Sequence, residues 1–91
     1  MDVFESIICK RAVEVFGKEE QLMILFEEMG ELMQAISKEK RYKTGTENIA
    51  EEIADVEILL EQVKHIYGVR RECGVWKKKK LNKLEGRIEG E

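Results

Sequence analysis

Ninety-one residues with 43% hydrophobic and 38% charged content make one domain of ordinary globular composition. A formal net charge of −3 gives no general drive toward nucleic acid or membrane, and no stretch approaches the roughly 18 apolar residues a membrane span needs. A chain this short buries a modest share of its surface, so its core is expected to be completed by oligomerisation.

Proline is absent, and helix-favouring residue types dominate, so helix is expected throughout. The first helix is expected over about 2–16: Asp2 is placed to cap it, Val3, Phe4, Ile7, Ile8, Ala12, Val13 and Phe16 recur at helical spacing, and Gly17 closes it. The second, about 18–40, carries a stripe of Leu22, Leu25, Phe26, Met29, Leu32, Met33 and Ile36. Residues 41–45 form the loop. Thr46 then caps a third helix over about 47–67, with Ile49, Ile53, Val56, Leu59, Leu60, Val63 and Ile66, ending near Gly68. A fourth, less regular helix is expected over about 69–86 with a frayed end, carrying Cys73, Trp76, Leu81 and Leu84, with four lysines at 77–80. The expected architecture is all-α, a four-helix bundle built on a helical hairpin.

Two acidic pairs stand out, Glu28-x-x-Glu31 and Glu52-x-x-Asp55. Residues three apart neighbour each other on a helix surface. At about 100° per residue, Glu52 falls inside the third helix's apolar stripe, between Leu59 and Val63 in projection, and Asp55 at its edge beside Ile66. Glu47, Glu51, Glu57 and Glu61 project elsewhere, as solvated acids do. Glu28 borders the main stripe of the second helix; Glu31 lies on its far side, between Ile24 and Ala35. That second apolar face calls for a partner, which a second copy would supply. With a rise of about 1.5 Å per residue, the two pairs lie roughly 12–18 Å and 9–14 Å from the loop, level to within about a turn.

Two like charges about 4 Å apart cost about 4 kcal/mol at an effective dielectric near 20, and burying carboxylates adds several more. Against a net stability of about 5–15 kcal/mol, either the acids splay into water or a cation neutralises them. All-oxygen ligation favours Mg²⁺ or Mn²⁺. A di-iron bundle is disfavoured, because such sites use Glu-x-x-His and Gln62 precedes the lone His65 by three residues.

The runs Glu27-Glu28-Met29-Gly30-Glu31-Leu32 and Glu51-Glu52-Ile53-Ala54-Asp55-Val56 resemble the Glu-Glu-x-x-Glu and Glu-x-x-Asp motifs of the MazG-like nucleotide pyrophosphohydrolases, of the all-α NTP pyrophosphohydrolase superfamily. The likeness covers about residues 18–67. It implies that Glu28, Glu31, Glu52 and Asp55 bind Mg²⁺, which holds a triphosphate and lowers the pKa of a bound water. Attack at the α-phosphorus would then release a monophosphate and pyrophosphate. Glu28 and Glu52 would be catalytic, with Glu27, at the first motif position, a candidate base or outer-shell ligand. Lys38, two turns past Glu31, and Lys40, Arg41 and Lys43 in the adjacent loop are placed to meet phosphate. The same positions also suit solvated cations at a helix end. The chain lacks the tandem domains of longer family members, and the segment 76–87 matches no base-recognition pattern.

The lysine run 77–80 with Lys83 and Arg87 reads first as a solvated basic face, since Trp76 is its only aromatic. Trp76 itself is expected in the core or at a dimer interface, and Met23, Met29 and Met33 in the core. Cys9 and Cys73 are expected to be reduced, partly buried thiols, and the first residues lack the features of a signal peptide, which makes the cytoplasm the expected location. The competing readings are a non-catalytic helical module that senses nucleotide or binds a partner, and a basic-tailed nucleic-acid adaptor.

Overall fold

The computed structural model describes residues 2–90, so positions 1 and 91 of the expected domain lie outside the described residues. It consists of α1 (Val3–Phe16), α2 (Lys18–Tyr42), α3 (Glu47–Tyr67) and α4 (Arg70–Glu89), with no strand among the described residues.

Local chemistry accounts for most of the boundaries. Asp2 and Glu5 form a reciprocal capping box: the Glu5 N–H donates to the Asp2 carboxylate at 2.9 Å, and the Asp2 N–H donates to the Glu5 carboxylate at 3.0 Å. Gly17, at φ 90°, ends α1 and passes directly into α2. Helix α2 runs two residues past its expected end, to Tyr42, and closes on Lys43 in the left-handed conformation, its N–H bonded to the Glu39 carbonyl. The Gly45 N–H then donates to the Glu39 carboxylate, which pins the turn. Thr46 precedes α3, but its side chain makes no capping hydrogen bond. Gly68, at φ 64° and ψ 36°, closes α3. Helix α4 continues to Glu89 rather than fraying beyond Gly86, with the Gly90 N–H bonded back to the Gly86 carbonyl.

Helices α2 and α3 fold back on each other as an antiparallel hairpin. Helix α1 packs across both, and α4 packs on α3 alone. The core is small: Cys9, Leu25, Ala35, Val56 and Leu59 are its buried apolar side chains. Two polar contacts sit within it. The Gln21 side-chain amide N–H donates to the Gln62 side-chain oxygen Oε1 at 2.6 Å, and the Cys9 thiol donates to the Ile58 backbone carbonyl at 3.6 Å.

Many apolar residues expected inside are outside. Val3, Phe4, Ile7 and Ile8 of α1, and Met23, Phe26, Met29, Met33 and Ile36 of α2, are exposed; Trp76, expected in the core or at a dimer interface, is outside the core of the single chain. The methionine cluster is therefore surface, not core. The reason is geometric: one α2–α3 contact covers a single stripe of α2, whereas α2 is apolar on more than one face. Glu61 departs in the opposite sense. It was expected in solvent but is 4% exposed, because Arg70 at the start of α4 folds back onto its carboxylate and Lys64 stands 3.6 Å away.

The dimensions agree. The chain exposes 7491 Å², about 2,000 Å² more than the roughly 5,500 Å² of a compact monomer of 10.6 kDa. Its radius of gyration of 15.9 Å exceeds the approximately 12 Å of a compact domain of this length.

Candidate metal centre

The Gln21–Gln62 bond sets the register of the hairpin. Seven residues toward the loop from each amide bring Glu28 level with Asp55; three more bring Glu31 level with Glu52. Both motifs thereby arrive at one height on facing helices, each residue being fixed on its helix by ordinary α-helical spacing.

Carboxylate oxygens of Glu28, Glu31 and Glu52 all lie within 4.8 Å of one another. Glu52 is only 8% exposed, Glu28 is half-buried, and Glu31 stands in solvent at the rim. Asp55 is half-buried and lies outside this close set, yet its charge acts on both Glu28 and Glu52. The shorter Asp side chain explains the difference in reach.

Burial, followed by the charges of Glu31 and Asp55 and a hydrogen bond to Glu52, pushes the Glu28 carboxyl up to about 7. Burial also raises Glu52, with the Glu31 charge next in weight, while the bond from Glu28 pulls it back down. These carboxyls thus share protons, Glu28 donating toward Glu52. The sharing leaves Oε2 of Glu28 and Oε2 of Glu52 buried and without hydrogen-bond partners. Among the described residues the ion pairs are those of Glu61 with Lys64 and Arg70, so no side-chain cation neutralises the cluster. Oxygen donors from two helices, two of them orphaned in the interior, suit a hard divalent cation.

The remaining sequence-predicted residues are not drawn into the cluster. Glu27 is exposed on α2. Lys38, Arg41 and Lys43 are exposed around the end of α2, where Lys40 and Arg41 border an open groove of about 530 Å³ with Met33, Ile36 and Ser37. Sequence reasoning missed Gln21 and Gln62, the pair that sets the register. Their signal was available: each sits one turn from a core leucine, Leu25 and Leu59, on the face that must be buried.

No protein-family model matches the chain, and neither a curated protein nor a solved structure gives a significant match.

Proposed function

We propose that the chain is a Mg²⁺-dependent (or Mn²⁺-dependent) nucleoside triphosphate pyrophosphohydrolase of the MazG-like kind, cleaving an NTP or dNTP to the monophosphate and pyrophosphate. One observation carries the reading. Glu28, Glu31 and Glu52 hold carboxylate oxygens within 4.8 Å of each other, with buried oxygens of Glu28 and Glu52 left unpartnered. Glu28, Glu31 and Glu52 would hold the cation, with Asp55 adding negative charge behind them. When bound, the metal supplies charge stabilisation at the phosphate and a water acidified toward neutrality.

The protein's own groups do the rest. Glu28, raised to about 7 while the acids are bare, would give up its proton when the cation binds and act as a ligand carboxylate beside Glu52. Glu31, at the solvent rim, is the side chain a triphosphate meets first. Lys38, Arg41 and Lys43 lie on the loop side and would meet the outer phosphates. A second copy would complete a four-helix core in a cytoplasmic homo-oligomer. Among the described residues no helix is long and apolar enough to cross a membrane.

The test is a panel of NTPs and dNTPs incubated with the full chain and Mg²⁺, with products identified. Monophosphate and pyrophosphate are expected from at least one nucleotide. Glu52→Gln is expected to lower that rate at least about a hundredfold, since even outer-shell partners of metal ligands are worth 10–100-fold. Release of orthophosphate alone would overturn the reaction. Metal and nucleotide binding without turnover would make the chain a nucleotide-sensing module.

A further inference from the structure

We infer that α4 of one chain docks along the outer face of α2 residues 19–33 in a second copy, placing its lysines beside the exposed rim of the partner's carboxylate cluster. This gives a surface to the self-association proposed above and does not depend on the hydrolase reading.

The first support is area. The chain shows about 2,000 Å² more surface than a compact monomer of its mass, and permanent interfaces bury about 2,000–5,000 Å² summed over both partners. The surplus therefore matches one chain's share. Helix α4 is the largest contributor available, because it packs on α3 alone and buries none of its own residues.

Charge supplies the second support. Helix α4 carries eight basic residues against three acidic ones, whereas residues 19–33 of α2 carry no base and four exposed acids, Glu19, Glu20, Glu27 and Glu31, with Glu28 turned into the carboxylate cluster. These are opposite-signed strips on helices of one molecule, and complementary potentials of this kind steer association and fix its register. The third support is the apolar pattern inside each strip. On α4 an open groove is lined by Trp76, Leu81 and Leu84, with Lys77 and Lys80 on the same face. On α2, Met23, Phe26 and Met33 are exposed, falling within about 80° of one another at 100° per residue, with Glu27 beside them. Each strip is some 20 Å long.

Formed reciprocally between two copies, each α4 on the other's α2, the contact would close as a two-fold dimer rather than propagate. The exposed Glu31 lies at the edge of the α2 strip, so α4 lysines arrive next to it. Nucleic acid is the poorer occupant. Leucines on the same face as the lysines have no role against a phosphate backbone, and the chain as a whole is acidic.

The test uses the full chain. Light scattering is expected to give a dimer at low salt, with its dissociation constant raised roughly tenfold or more at about 1 M salt, where screening acts within about 3 Å. A mixture of ¹⁴N- and ¹⁵N-labelled chains, treated with a zero-length carbodiimide, is expected to yield mixed-isotope cross-links from lysines at 77–83 to acids at 19–31. The double variant Leu81→Asp, Leu84→Asp is expected to be monomeric with unchanged helicity, since neither residue is buried within the chain. Glu52→Gln is expected to dimerise normally, which separates this proposal from the metal reading. A monomer at all concentrations would overturn it. So would a dimer indifferent to the double variant, cross-links that bypass α2, or α4 lysines that capture a DNA duplex while the dimer is unaffected.

Discussion

Glu28 is the residue on which the metal-free cluster turns. Its carboxyl titrates at about 7 in the folded chain against an ordinary 4.5, so between those values the native state holds a proton that the unfolded state has released. Stability therefore falls as pH rises through this window, the reverse of a salt-bridged carboxylate. Thermal melts with chelator present are expected to show a falling melting temperature from about pH 5 to about pH 8, and Glu28→Gln is expected to flatten that slope. Angular arithmetic made Glu52 legible, because a carboxylate inside an apolar stripe has nowhere else to point. It misjudged Glu31 by taking the wrong stripe of α2 as the covered one: Gln21, Leu25 and Ala35 are the buried residues, and Glu31, beside Ala35 in projection, stands at the rim of that face. Glu61 was illegible for a different reason: its partner Arg70 is on another helix, and no periodicity within α3 reports that.

At the scale of elements, the turn between α3 and α4 depends on two features. Gly68 sits in the left-handed region with nothing near an added Cβ, so Gly68→Ala is expected to cost only the conformational penalty, about 1 kcal/mol after the unfolded-state offset. Arg70 is half-exposed but ion-paired with the buried Glu61. Arg70→Met leaves that carboxylate with Lys64 alone and is expected to cost about 1–2 kcal/mol, read from denaturant midpoints. The four helices themselves were plain in the sequence, since capping at Asp2 and glycines at 17 and 68 punctuate clear apolar periods. What remained hidden was which stripe of a doubly apolar helix would be covered. That is decided by neighbours, and α2 has only one strong neighbour within the chain.

For the whole molecule, the proposed metal binding would be coupled to fold stability. At Mg²⁺ about a hundredfold above its dissociation constant, a single site adds roughly 2.7 kcal/mol, and the expected outcome is a melting temperature raised by about 10 °C or more. The rise should reverse with EDTA and be absent in Glu52→Gln, as differential scanning calorimetry would show. The cation would relieve the strain that proton sharing between Glu28 and Glu52 relieves in its place. The Gln21–Gln62 bond has a consequence for that coupling. A buried amide pair bonds in only one alignment, even with Gln21 Oε1 left unpartnered, whereas greasy neighbours tolerate sliding. Slippage by a single turn, about 5.4 Å, would strand both amides and carry Glu28 and Glu52 past each other. Two uncharged side chains that touch no ligand would thus act as the dowel that keeps the acids in step.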